Sequence, residues 1–72
     1  MDIPSPVTGV VKEILAAPGD AVSEGQELLI LESMKMEIPV EAPAAGTLFE
    51  LLASEGAQVE ENQVLGRIAP AT

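Results

Sequence analysis

Gly9-Val10-Val11-Lys12-Glu13-Ile14-Leu15-Ala16 returns 37 residues later as Gly46-Thr47-Leu48-Phe49-Glu50-Leu51-Leu52-Ala53, and this recurrence decides how the chain folds. Carried outward without a gap, the comparison brings ten pairs into identity: Pro6/Pro43, Gly9/Gly46, Glu13/Glu50, Leu15/Leu52, Ala16/Ala53, Gly19/Gly56, Val22/Val59, Glu24/Glu61, Gln26/Gln63 and Leu28/Leu65. Val11/Leu48, Ile14/Leu51 and Leu31/Ile68 differ only in apolar shape. The 72 residues thus hold two half-repeats, about 1–35 and 38–72, of one supersecondary unit that cannot bury its apolar face alone. A solenoid needs three or more repeats, so two imply a closed pair related by a pseudo-twofold. That operator carries Lys35 onto Thr72, which places the Lys35 segment and the two termini at opposite ends of the molecule.

The local pattern reads as β throughout. Six prolines and six glycines leave no window long enough for a typical helix. The expected strands are Ile3–Ser5, Gly9–Leu15, Glu27–Glu32, Glu37–Glu41, Gly46–Leu52 and Val64–Ile68, with short paired stretches at Ala21–Val22 and Gln58–Val59. Turn residues separate them: Pro18-Gly19-Asp20 and Glu24-Gly25 in the first half, Glu55-Gly56 and Glu61-Asn62 in the second. Val11 to Ile14 and Leu28 to Leu31 are steps of three between apolar positions, which breaks strict alternation and predicts a bulge or strong bend. The expected fold class is all-β, a flattened antiparallel sandwich or barrel with few exposed edges.

Length and composition bound the function. One domain spans 1–72, near the lower size limit for folding without staples, and no cysteine is available to make one. Cysteine-free composition is compatible with a reducing cytosol. Stability of about 4–11 kcal/mol follows from the usual range per residue. Met1-Asp2-Ile3-Pro4 does not read as a signal peptide, and no apolar run approaches membrane-spanning length. Twelve acids against three bases give a formal charge of −9, which repels phosphate backbones and anionic lipid, so neither nucleic acid nor membrane is an expected partner. The plain reading of that acidity is solubility. Histidine, cysteine, tyrosine and tryptophan are all missing, which removes the commonest general bases and the best nucleophile. Glu60-Glu61 reads as a solvated turn rather than an acid–base pair, and the glycines form no phosphate-cradling loop.

One segment breaks the rules that its neighbours obey. A tight hairpin over 33–37 must join the strands on either side, yet its central residues are Ser33, Met34, Lys35 and Met36. Two-residue hairpin turns favour Asn or Gly because one or both positions need positive φ. Every other turn in the chain uses such residues, and this one has none. Two of the three methionines also fall here. Either methionine could fold inward as a gap filler, and Lys35 could be an ordinary surface lysine. Its place at the seam of the repeat, on an aberrant turn, marks it instead as a candidate functional residue.

Glu32-Ser33-Met34-Lys35-Met36-Glu37 resembles the biotin-attachment motif, in which a lysine flanked by methionines becomes biotinylated. The resemblance covers the whole chain: the paired halves, the Gly9 and Gly46 strand starts, the Gly19-Asp20 and Gly56 turns, and the central hairpin. It is similar to the biotinyl domains of biotin-dependent carboxylases (the biotin carboxyl carrier protein family), and most of all to the small single-domain biotin/lipoyl attachment proteins. The resemblance implies a flattened barrel-sandwich of two four-stranded antiparallel sheets with Lys35 exposed on the hairpin. It implies biotin amide-linked to Lys35, with Ser33, Met34, Met36, Glu32 and Glu37 read by a biotin protein ligase or by partners. The implied role is that of a non-catalytic, monomeric, cytoplasmic carrier working between biotin carboxylase and carboxyltransferase components. A solvated lysine amine is almost wholly protonated at neutral pH, so its activation must come from the ligase.

Departures from the family pattern narrow the assignment. Leu15 to Val22 is as long as Leu52 to Val59, which leaves no room for the thumb that many bacterial carriers insert in the first half. Ser33 stands where alanine is usual, and no Ala/Pro-rich tether precedes the domain, so the chain reads as a freestanding carrier or as a domain of a larger carboxylase. Two alternatives stay open. Lipoyl domains of oxo-acid dehydrogenases share the architecture, but their lysine sits in an Asp-Lys-Ala context, against which Met34 and Met36 count. An unmodified interaction module is the other. The acceptor substrate, an acyl-CoA ester or pyruvate, is chosen by the partner enzyme and is not written in these residues.

Overall fold

Apolar spacing and turn residues together divide the chain into short extended segments. A computed structural model describes residues 1–71 and shows eight strands and no helix among them. They are β1 (Asp2–Pro4), β2 (Gly9–Ile14), β3 (Ala21–Val22), β4 (Glu27–Ser33), β5 (Met36–Glu41), β6 (Gly46–Leu51), β7 (Gln58–Val59) and β8 (Val64–Pro70). Two four-stranded sheets result, ordered β1-β8-β6-β3 and β5-β4-β2-β7, with every neighbouring pair antiparallel. The expected all-β sandwich is therefore observed, and the 37-residue shift carries one sheet onto the other strand by strand.

The halves do not form one sheet each. Each sheet takes two strands from either half: β6 and β8 are flanked by β1 and β3, and β2 and β4 by β5 and β7. The irregularities obey the same symmetry. Pairing skips between Val11 and Glu13 in β2 and between the repeat mates Leu48 and Glu50 in β6. It skips again at Glu27/Leu29 opposite β5 and at Ile3/Pro4 opposite β8. The step of three from Val11 to Ile14 is thus a bulge, as its spacing predicts. Strand ends move by one or two residues from expectation. β1 ends before Ser5, whose buried hydroxyl donates to the Val7 carbonyl at 2.6 Å, and β8 runs on to Pro70. Ladder pairing sets these ends, and local composition does not carry it.

The core lies between the sheets and is built from repeat mates. Val11/Leu48, Val22/Val59, Leu28/Leu65, Leu31/Ile68 and Ile3/Val40 are all at most 5% exposed. Burying each such side chain contributes about 1.5–3 kcal/mol relative to leaving it in water. The turns are cross-tied by symmetric hydrogen bonds: Gly19 N donates to Leu48 O at 2.6 Å, and Gly56 N to Val11 O at 2.8 Å. Residues 15–20 and 52–57 match in length, so no thumb interrupts the first half. Gly9 is required by a close approach, since a Cβ there would lie 2.5 Å from the Glu32 carbonyl oxygen, and its mate Gly46 would meet Ala69 in the same way.

Edge strands β1 and β5 carry Pro4 and Pro39, which remove donors from the open edges. Between them runs an open apolar groove of about 290 Å³, lined by the pairs Ile3/Val40, Pro4/Glu41 and Pro6/Pro43 and so straddling the pseudo-twofold. The molecule measures 38 × 18 × 18 Å. β5 leads away from the hairpin, and four residues (42–45) connect it to Gly46, which pairs with Pro70. The Met1 amine donates to Ile68 O at 2.8 Å at that same end. Lys35 and the described ends of the chain, Met1 and Ala71, thus lie at opposite ends. Thr72, the mate of Lys35, falls outside the described residues.

Candidate functional site: the β4–β5 hairpin

Pairing of Ser33 with Met36 closes the hairpin and leaves Met34 and Lys35 as its only loop residues. Both have left-handed backbones, with φ of 52° and 66°. That is the two-residue hairpin geometry that normally selects Asn-Gly. The other left-handed positions, Gly19, Gly25, Gly56 and Asn62, have the expected residue types. Holding side chains of ordinary L-residues in this region costs roughly 1–2 kcal/mol per residue, so the tip is strained where the rest of the chain is relaxed.

Side-chain exposure at the tip settles the alternative readings of the methionines. Met34 is 91% exposed and Met36 63%, so neither fills a gap in the core. Lys35 is exposed and makes no hydrogen bond or ion pair among the described residues. Support comes from the base of the hairpin. Half-buried Ser33 donates its hydroxyl to the Thr8 carbonyl at 2.9 Å, and Thr8 Oγ1 accepts from Glu61 N at 3.1 Å. Thr8 therefore ties the lysine hairpin to the Glu60–Gln63 turn, whose two glutamates are exposed, as a solvated turn requires.

Glu32 and Glu37 lie directly opposite each other on β4 and β5, a like-charge pair that disfavours the hairpin. Lys12 offsets it. Its Nζ donates to a Glu37 carboxylate oxygen, and the two form an ion pair on the outer face of the sheet. The Lys12 pKa is raised, first by the hydrogen bond to Glu37 and then by its charge, against an opposing cost of desolvation, with smaller contributions from Glu32 and Glu13. Arg67 is also engaged, by Asp2 and Glu50. Lys35 is the one basic side chain left unpaired among the described residues.

Of the residues expected at the site, Ser33, Met34, Lys35 and Met36 form the tip and its closing pair, and Glu32 and Glu37 form the next rung. Glu37 faces Lys12, which lies outside the residues expected at the site. Its signal was present in the repeat, since the mate of Lys12 is Phe49: the bulge recurs and the charge does not. Among the described residues no cluster of His, Cys, Asp or Glu could hold a metal ion.

A family model described as "Biotin-requiring enzyme", of the biotin/lipoyl type, matches residues 14–68, more than half of the chain and including the whole hairpin. The chain belongs to that family. The biotin/lipoyl chain is 48% identical over 40 residues, 56% of its length, to the biotin carboxyl carrier protein of acetyl-CoA carboxylase from Solanum lycopersicum, covering 57% of that protein. It is 54% identical over 44 residues, 61% of its length, to the dihydrolipoyllysine-residue acetyltransferase component of a pyruvate dehydrogenase complex from Pseudomonas aeruginosa, covering 8% of it. Its fold superposes on the Kluyveromyces lactis urea carboxylase with a TM-score of 0.90 at 32% identity, covering 96% of this chain and 6% of that one. The chain thus spans less than two thirds of each of these three relatives.

Proposed function

We propose that this chain is a biotin carboxyl carrier domain whose biotin is amide-linked to Lys35. The observation that carries this reading is an unpaired lysine at the apex of a two-residue turn, flanked by two exposed methionines. The residues fit the group, because an amine free of carboxylate partners is open to acylation. Similarity to a carrier protein of acetyl-CoA carboxylase and to a urea carboxylase supports it.

Biotin would supply a ring that takes up CO2 at a biotin carboxylase site and gives it up at a carboxyltransferase or decarboxylase site. The chain's own part is to hold and present. Lys35 offers its amine to a biotin protein ligase, which brings the activated acyl group. The left-handed turn fixes the direction in which that amine leaves the sheet, and such orientation lowers the barrier to transfer. Met34 and Met36 present soft apolar surface to whichever partner reads the tip. Ser33, Glu32 and Glu37 set its polar margin. The role proposed is that of a non-catalytic carrier, monomeric as a domain. A cytoplasmic location matches the cysteine-free composition. Among the described residues no helix is long and apolar enough to cross a membrane.

A lipoyl carrier is the second reading, favoured by the likeness to the acetyltransferase component. Intact-mass measurement on protein made in cells holding both ligases separates the two. A biotin adduct is expected, and it is lost entirely in Lys35→Arg, which keeps the charge and removes the acylatable amine. A lipoyl adduct would establish the second reading. Streptavidin binding that survives Lys35→Arg would remove Lys35 as the attachment point.

A further inference from the structure

Lys12 occupies an unusual place in the sheet. Pairing between β2 and β4 passes from Val11↔Leu31 directly to Glu13↔Ile30, so Lys12 is the extra residue of the bulge and has no partner in the ladder. Bulges re-aim side chains. Here the side chain reaches over β4, which lies between β2 and β5, to bond Glu37 two strands away, about 10 Å in strand spacing. Glu37 is only two residues beyond Lys35, within the reach of a long, flexible lysine stem. The charge is not a by-product of the fold, because the second half makes the same bulge with Phe49 in that place. In a chain of −9 formal charge with twelve acids, an exposed cation without a carboxylate partner needs explaining, and Lys35 is such a cation.

We propose that Lys12 is a positioning residue: by holding the Glu37 carboxylate across β4, it keeps that carboxylate from pairing with Lys35 and leaves the tip amine free to be acylated. Removing Lys12 releases the Glu37 carboxylate two residues from Lys35, on the rung that it shares with Glu32. A paired Lys35 would favour its ammonium form and would be tied toward the sheet, and both effects slow acylation. The proposal gains its meaning from the reading of Lys35 as the attachment residue, but its test does not use a ligase.

The probe is a small succinimidyl acetate ester. Its acyl carbon forms an amide bond with the deprotonated lysine nitrogen while the bond to N-hydroxysuccinimide breaks. Peptide mass resolves the rate at Lys35 in the intact domain. Lys12→Gln is expected to slow acylation of Lys35 about threefold and to move its rate-against-pH profile upward. Lys12→Arg, which can still hold Glu37, retains the wild-type rate and profile. In a Glu37→Gln background, Lys12→Gln has no further effect. Thermal melts establish that each variant is folded. An unchanged Lys35 rate in Lys12→Gln overturns the proposal, as does equal slowing with and without the Glu37 carboxylate. Failure of a biotin ligase to modify wild-type Lys35 would sink the carrier reading while leaving this amine assay intact.

Discussion

Met34 and Lys35 adopt backbone angles that every other left-handed position in the described chain gives to glycine or asparagine. Asn62 shows what the fold prefers, since its repeat mate is Gly25 and both sit at positive φ. The tip has therefore given up stability, and Met34→Asn should recover about 0.5–1 kcal/mol, part of the cost of left-handed strain for an ordinary side chain. Denaturant melts of the two proteins test this. A less stable Met34→Asn protein would mean that the Met34 side chain packs against something despite its 91% exposure. At this scale the motif was legible in the sequence, because an absent turn residue is a local fact. The partner of Glu37 was not, because Lys12 is 25 residues away and reaches it only across an intervening strand.

The β4–β5 hairpin works as an element with one register. Ser33↔Met36 and Glu32↔Glu37 fix which residue stands at its second loop position. Exchanging the tip residues, Met34→Lys with Lys35→Met, keeps composition and charge and changes the direction of the amine, because the two positions of a tight turn lie at different points of the chain reversal. Loss of orientation of this kind can cost several kcal/mol in a transfer reaction. A time course with purified ligase should show the exchanged protein modified at least tenfold more slowly than wild type, with Met34→Leu still modified. Equal rates for the exchanged and native lysines would show that the ligase reads exposure or local sequence, not geometry. Element positions were readable from apolar spacing and turn residues. Their ends were not, because a strand stops where its ladder stops. Ser5 shows this: Gln63 receives its backbone N–H at 2.8 Å, and its side chain turns back on Val7.

Over the whole molecule the halves are interlaced, so neither holds a sheet of its own. Within residues 1–35 only β2 and β4 pair with each other, because β1 is bonded to β8 and β3 to β6. A lone two-stranded pair is marginal in water. The fragment 1–35 alone should show no cooperative thermal transition by circular dichroism, and mixing it with fragment 36–72 should restore one. An independently folded 1–35 would contradict the interlaced topology. The cores of the two halves should respond alike: Val22→Ala and Val59→Ala, at mates 5% and 1% exposed, should each cost more than about 1 kcal/mol in denaturant melts. Unequal effects would show that the pseudo-twofold does not extend to packing. The sequence by itself determined the repeat, the all-β class, the turn positions and the rule-breaking lysine tip, since each rests on spacing and residue type along the chain. Only the tertiary structure decided that strands are exchanged between the sheets, that Gly9 and Gly46 yield to the Glu32 and Ala69 carbonyls, and that Lys12 bonds Glu37 across β4. Those outcomes depend on which distant segments share a ladder, and pairing is chosen by burying both apolar faces at once, a condition that no local stretch of residues expresses.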